Sequence, residues 1–251
     1  MKKLFHFGDS YGTVNYYGDN KHFCHHIADS IEYEYITAFT VGGVSNEIIF
    51  RKILEQIQNY REGDIIFINF SFLSRGCFLN KVTNTIESTN VLFNELYDNE
   101  IINKKKYSRV LEENEGVLSL VDYYLKNSLD YNFRLFKLIN PLFEYLISKK
   151  ISIFYIFIEE SSYTDTLLNC GTNIKFEDGF GNWLIKNNFH NNEDVHYSIG
   201  IQPMLADVIL RKTDNLNQNC ESKIQITIED VEYETINYNL TKYKKKPLRL
   251  L

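Results

Sequence analysis

The chain has 251 residues, 44% of them hydrophobic and 24% charged, which suits one ordinary globular domain, with or without an appendage, and excludes a disordered chain. A formal net charge of −6 argues against a nucleic-acid backbone as the main partner. No segment approaches the ~20 apolar residues needed to cross a bilayer, so no membrane partner is expected.

In chain order, a first strand is predicted over residues 3–7, breaking at Gly8-Asp9-Ser10. Residues 21–31 carry Phe23, Ile27, Ala28 and Ile31 at helical spacing. Residues 35–41 are β-branched and aromatic and end at Gly42-Gly43, which reads as a second strand. Residues 46–60 repeat apolar positions at Ile48, Ile49, Ile53, Leu54 and Ile57, a helix face. The turn Arg61-Glu62-Gly63-Asp64 then leads into 65–70, an almost unbroken apolar run of the kind found in a strand covered on both faces. Residues 76–111 look irregular, and 116–149 strongly helical with Pro141 marking a kink or boundary. Residues 151–158 form another buried-type strand, followed by a polar loop and a closing helix over about 199–212. This alternation of strand and helix predicts a parallel sheet with helices on both faces.

The tail differs. Residues 223–238 alternate like a hairpin and 242–249 are basic, so 215–251 reads as a C-terminal extension serving as an edge hairpin, an oligomerisation element or a docking arm. Cys24, Cys77, Cys170 and Cys220 lie far apart and read as reduced, independent thiols. The two lysines and few apolar residues ahead of Gly8 lack a signal-peptide pattern, so synthesis in a cytoplasm is expected. The 18 Tyr and 18 Phe fit either a glycan- or partner-facing surface or plain coding bias.

The chemistry lies at two distant points. A strand that breaks at a glycine can present Ser10 as a nucleophile at the carboxyl end of a sheet, and Asp194-Val195-His196 can complete a Ser–His–Asp relay. The plain alternative is that Asp9 and Ser10 merely cap a helix. His22, Cys24, His25 and His26 could hold a transition metal, but the simpler expectation puts them on the solvent side of the first helix, with no metal and no cofactor. Tyr11, Tyr16 and Tyr17 lie near enough to Ser10 in sequence to stack on a sugar, or are ordinary surface tyrosines.

Gly8-Asp9-Ser10, Gly43-Val44-Ser45-Asn46 and Asp194-Val195-His196, with Ser198, Gly200, Met204 and Ala206 after the histidine, resemble the blocks of the SGNH (GDSL-type) hydrolases over roughly residues 3–212. The resemblance implies a flavodoxin-like three-layer α/β/α sandwich spanning residues 1–214, with 76–146 as a mostly helical insert or lid. It implies ester hydrolysis through an acyl-enzyme, with Ser10 as nucleophile, His196 as base and Asp194 as the acid, Glu193 being the alternative. The amides of Ser10 and Gly43 would face the oxyanion, joined by Asn69 or Ser71. Asp9, Asn46 and Arg75 would sit on the substrate side; for Asp9 the alternative is helix capping or ordering of the site, and for Asn46 capping of the helix that begins there.

The chain departs from the family pattern twice. Asp194 stands two residues before His196, where the family usually places its acid three before, at Glu193; some branches use the shorter spacing. The third block, Gly-x-Asn-Asp, is missing: Leu73 stands at the Asn and Ser71 at the Gly, a pattern that with Arg75 is similar to divergent phage-associated members. The reading is an esterase of a short-chain, acetyl ester on a carbohydrate. Its rivals are a lipase- or thioesterase-like acyl hydrolase and a weakly active or inactive component of a larger assembly such as a virion, joined through the extension or as a homo-oligomer.

Overall fold

The computed structural model describes residues 1–12, 21–81, 84–89, 116–159, 164–189 and 201–218. Its centre is a five-stranded sheet in the order β2-β1-β3-β6-β7, formed by β1 (Lys3–Gly8), β2 (Glu34–Thr40), β3 (Ile65–Phe70), β6 (Ser152–Phe157) and β7 (Thr172–Asn173). Every pairing in it is parallel. A separate antiparallel hairpin joins β4 (Cys77–Asn80) to β5 (Thr85–Ser88).

Parallel pairing forces a crossover between successive strands, and helices supply the first three. α1 (Phe23–Ser30) follows β1, α2 (Asn46–Glu55) follows β2, and α3 (Val117–Ser148) precedes β6; α4 (Phe180–Lys186) and α5 (Gln202–Gln218) come last. One face of the sheet packs Leu4 and Phe67 against Phe23 and Ile27 of α1, Phe180 and Leu184 of α4, and Leu205 and Ile209 of α5. The other packs Phe5, Phe7, Ile66 and Ile68 against Ile49 and Ile53 of α2 and Phe136, Ile139 and Phe143 of α3. The architecture is therefore a three-layer α/β/α sandwich. Both β1 and β3 are buried on both faces after their first residue, which is why 65–70 carries almost no polar side chain.

The chain lays β2 on one side of β1 and β3 on the other, so the strand order reverses between β1 and β3. Doubly wound sheets open a crevice at that point, outside the carboxyl ends of the strands. Ser10 and Ser71 follow the two strands that border it.

Several local expectations are corrected. The helix runs through Pro141, and the break in helical dihedrals falls at Asn127, at φ −122° and ψ 21°. The second helix ends at Glu55, and Ile57–Asn59 is a separate 3-10 turn. The span 76–111 contains the β4–β5 hairpin, and α4 was not foreseen. Leu135, Phe136 and Phe143, inside the span read as an insert or lid, belong to the crossover helix and the core. The closing helix, expected over about 199–212, runs Gln202–Gln218. The expected tail hairpin and basic end lie outside the described residues. No helix among the described residues is long and apolar enough to cross a membrane.

Candidate active site

Ser10 owes its place to two glycines. Gly8 ends β1 opposite Asn69, and a Cβ there would lie 2.8 Å from Asn69 Cβ, closer than real atoms approach. At Gly12, which closes the 3-10 turn Ser10–Gly12, a Cβ would stand 3.0 Å from His6 Nε2. Within the turn Gly12 N–H donates to the Asp9 carbonyl at 2.9 Å and Tyr11 N–H to Asp9 Oδ1 at 3.0 Å. Ser10 is 5% exposed, and its hydroxyl has no hydrogen-bond partner among the described residues. A buried serine in a tight turn ordinarily spends its hydroxyl on the backbone; this one does not.

Asp9 anchors the turn to the end of β3. Its Oδ2 accepts from Arg75 Nη1 at 2.9 Å and from Ser71 Oγ at 3.3 Å, while Arg75 Nη1 also donates to Ser71 Oγ at 2.8 Å. Asp9 is fully buried and the Arg75 side chain is 13% exposed, its guanidinium stacked 4.5 Å over the Phe72 ring. A buried carboxylate needs such a counter-charge to stay ionised, and the pair gives the turn one fixed orientation. Asn46 holds the other side of Ser71: Ser71 N–H donates to Asn46 Oδ1 at 2.7 Å, and Asn46 Nδ2 donates to the Ser71 carbonyl at 3.1 Å. Asn132 of α3 donates to the Leu73 carbonyl at 2.6 Å, and Glu159 accepts from Leu73 N–H. The loop after β3 is thus braced from three elements.

These contacts sort the expected site residues. Asp9 and Asn46 are enclosed in the protein and engage Ser71, Arg75 and the turn. The helix N-cap is Ser45, whose side chain accepts from Ile48 N–H; Asn46 is the first helical residue, correcting the expectation that Asn46 caps. Gly43 is half-buried with φ +77°, a left-handed conformation that favours glycine. Of the two candidates for a third oxyanion donor, Ser71 has spent its hydroxyl proton on Asp9 and its amide on Asn46. Asn69 has an Nδ2 without a partner among the described residues, but the residue is fully enclosed and its Oδ1 is bonded to His6 Nε2 at 2.8 Å. Leu73 is buried and apolar.

The histidines lie elsewhere than expected. His22 and Cys24 face inward, and His22 is the N-cap of α1, its Nδ1 accepting from Cys24 N–H at 3.1 Å. His25 and His26 are half-buried, His25 stacking on Tyr35. His6, His22 and Cys24 bring potential ligand atoms within 4.8 Å of one another. They do not form a coordination shell as arranged. His6 bonds Tyr35 Oη and Asn69 Oδ1, and the second nitrogen of His22 donates to the Tyr11 carbonyl, so every ring nitrogen is engaged. The two rings also stack, with centroids 4.5 Å apart and planes 26° apart. Burial holds His6 down to about 4 and His22 well below its ordinary value, so both are neutral members of the core beneath the Ser10 turn.

Glu193, Asp194 and His196 lie outside the described residues, as do Tyr16 and Tyr17. Tyr11 is buried in the core. The Asp9–Arg75–Ser71–Asn46 lattice is the feature that sequence reasoning missed: its members were singled out one by one as substrate or oxyanion residues, and nothing local pairs position 46 with 71. No known protein family matches this chain, and no curated protein matches it in sequence.

Proposed function

We propose that the chain is a serine esterase of the SGNH type, hydrolysing a short-chain ester, an acetyl group on a carbohydrate, through an acyl-enzyme. The observation that carries this reading is the place and state of Ser10. It stands at the strand-order reversal of the sheet, on a turn locked by Asp9, with a hydroxyl that no described residue engages. A second support comes from the closing helix. Gln202 Oε1 accepts from Phe23 N–H at 2.8 Å, beside His22, which in turn bonds the Tyr11 carbonyl. Gln202 stands six positions after His196 in sequence, a length of chain that extends at most about 20 Å.

On this reading Ser10 Oγ attacks the ester carbon as His196 takes its proton, and Asp194, or Glu193 in its stead, orients the imidazole. The tetrahedral anion meets the amides of Ser10 and Gly43, then collapses and expels the alcohol with the proton from His196. Water activated by His196 releases the acyl group. Each oxyanion donor is worth about 3–4 kcal/mol of barrier, so a site whose Ser71 hydroxyl is spent and whose Leu73 is apolar works below the family's rate. That same observation favours a second reading, in which the fold serves as a weakly active or inactive component of a larger assembly such as a virion. Hydrolysis of 4-nitrophenyl acetate that disappears in Ser10→Ala supports the esterase; wild type and Ser10→Ala equally inert on short esters and acetylated glycans refute it. A preference for octanoate over acetate would move the substrate to longer acyl chains.

A further inference from the structure

The Arg75 guanidinium is engaged on one side only. Nη1 spends both hydrogens, one on Asp9 Oδ2 and one on Ser71 Oγ. Among the described residues Nε and Nη2 have no acceptor, although the side chain is only 13% exposed and its face is fixed on Phe72. A guanidinium with one end tied down and its Nε–Nη2 edge open presents two parallel N–H donors. That is the edge which fits a carboxylate in bidentate fashion. The ion pair with Asp9 balances the charge, so recognition here comes from directed hydrogen bonds on a pre-set fork. Asp9, which holds the fork, directly precedes Ser10 in sequence.

We propose that the Nε–Nη2 edge of Arg75 binds a negatively charged oxygen of the ligand next to Ser10, which makes the substrate class an ester on a carboxylate-bearing molecule such as an acidic sugar. This rests on the esterase reading for the word substrate, but the anion contact itself does not. The same chemistry has a second source, the oxyanion formed during acyl transfer, and the test separates the two.

The decisive variant is Arg75→Lys, whose single ammonium retains the contact with Asp9 and Ser71 but has no outer edge. With glucuronate as the probe and glucose as its neutral control, calorimetry on wild type should show binding of glucuronate alone, weakened about tenfold or more in the variant. In kinetics, glucuronate should inhibit hydrolysis of 4-nitrophenyl acetate competitively in wild type and much less in Arg75→Lys, each measured against that enzyme's own uninhibited rate. A fall in kcat on the neutral ester with KM unchanged assigns the edge to the oxyanion. Unchanged glucuronate binding together with unchanged kinetics overturns the proposal. Should Arg75→Lys not fold, the wild-type Arg75 Nε–H resonance decides: it shifts on adding glucuronate and not glucose, and no shift overturns the proposal. An enzyme inert on every ester refutes the esterase reading, while the calorimetry still reads the edge.

Discussion

Replacing Asn46 by Ala removes one side chain and strands two buried backbone groups. Asn46 is fully buried and Ser71 is 1% exposed, and the amide bonds both the N–H and the C=O of Ser71. Leaving a buried polar group unsatisfied costs about 1–3 kcal/mol, so two of them cost roughly 3 kcal/mol even with some relaxation or entry of water. In a chain of this size about 1 kcal/mol moves the melting temperature by roughly 2–4 °C, which places the expected drop near 10 °C. Thermal unfolding followed by circular dichroism, with urea denaturation beside it, reads the change. Asn59→Ala is the control, because Asn59 bonds Gln56 on the exposed surface and its loss should stay within about 0.5 kcal/mol. A melting temperature for Asn46→Ala within about 3 °C of wild type would refute the bracing role assigned to Asn46. Asn46→Asp keeps the size and the acceptor but loses the donor to the Ser71 carbonyl, and should not restore stability.

The remaining predictions concern other parts of the same region. His6 and His22 have folded values below the ordinary 6.5 because burial disfavours their charged forms, so the unfolded chain binds more protons. Their stabilising contribution is complete above about 6.5 and declines as pH falls toward the folded value of His6, about 4. Between pH 6.5 and 5 His6 alone should cost about 2 kcal/mol, and a urea midpoint flat across that window contradicts the neutral, buried pair. Gly8→Ala would force Cβ to 2.8 Å from Asn69 Cβ and part β1 from β3 beside Ser10; a loss of about 1–3 kcal/mol is expected, and a neutral result would contradict the close approach. Burial pushes the Cys24 thiol well up and the Cys77 thiol up to about 12, so iodoacetamide at pH 8 should spare both in the native protein and label them after unfolding, as read by peptide mass. Asp194→Asn should reduce ester hydrolysis far more than Glu193→Gln, and the reverse result transfers the acid role to Glu193.

Sequence pattern revealed those parts of the fold whose signal is local. Ile65–Phe70 is legible because a strand covered on both faces has no polar alternation to confuse it. The glycine block before α2 is legible because a left-handed backbone at Gly43 favours that residue. Short elements were not: β4 and β5 have four residues each, and α4 has seven flanked by Gly179 at φ +89°, too few for a period to show. His22 was misplaced because helical spacing counts it on the helix, whereas as the N-cap it turns inward to Tyr11 and Cys24. The site shows the same division. Ser10 could be placed from the strand that precedes it, but the partners of Asp9 lie at 71 and 75 and those of Ser71 at 46, and only the parallel pairing of β1 with both β2 and β3 brings these together.

If the chain is a serine esterase, Ser10 is an activated nucleophile. Treating the protein with a fluorophosphonate and mapping the adduct by peptide mass spectrometry tests it without a known substrate. An activated Ser10 gives one covalent adduct, on Ser10, formed far more slowly in His196→Ala. No adduct, or one on another serine with Ser10 untouched, would contradict it.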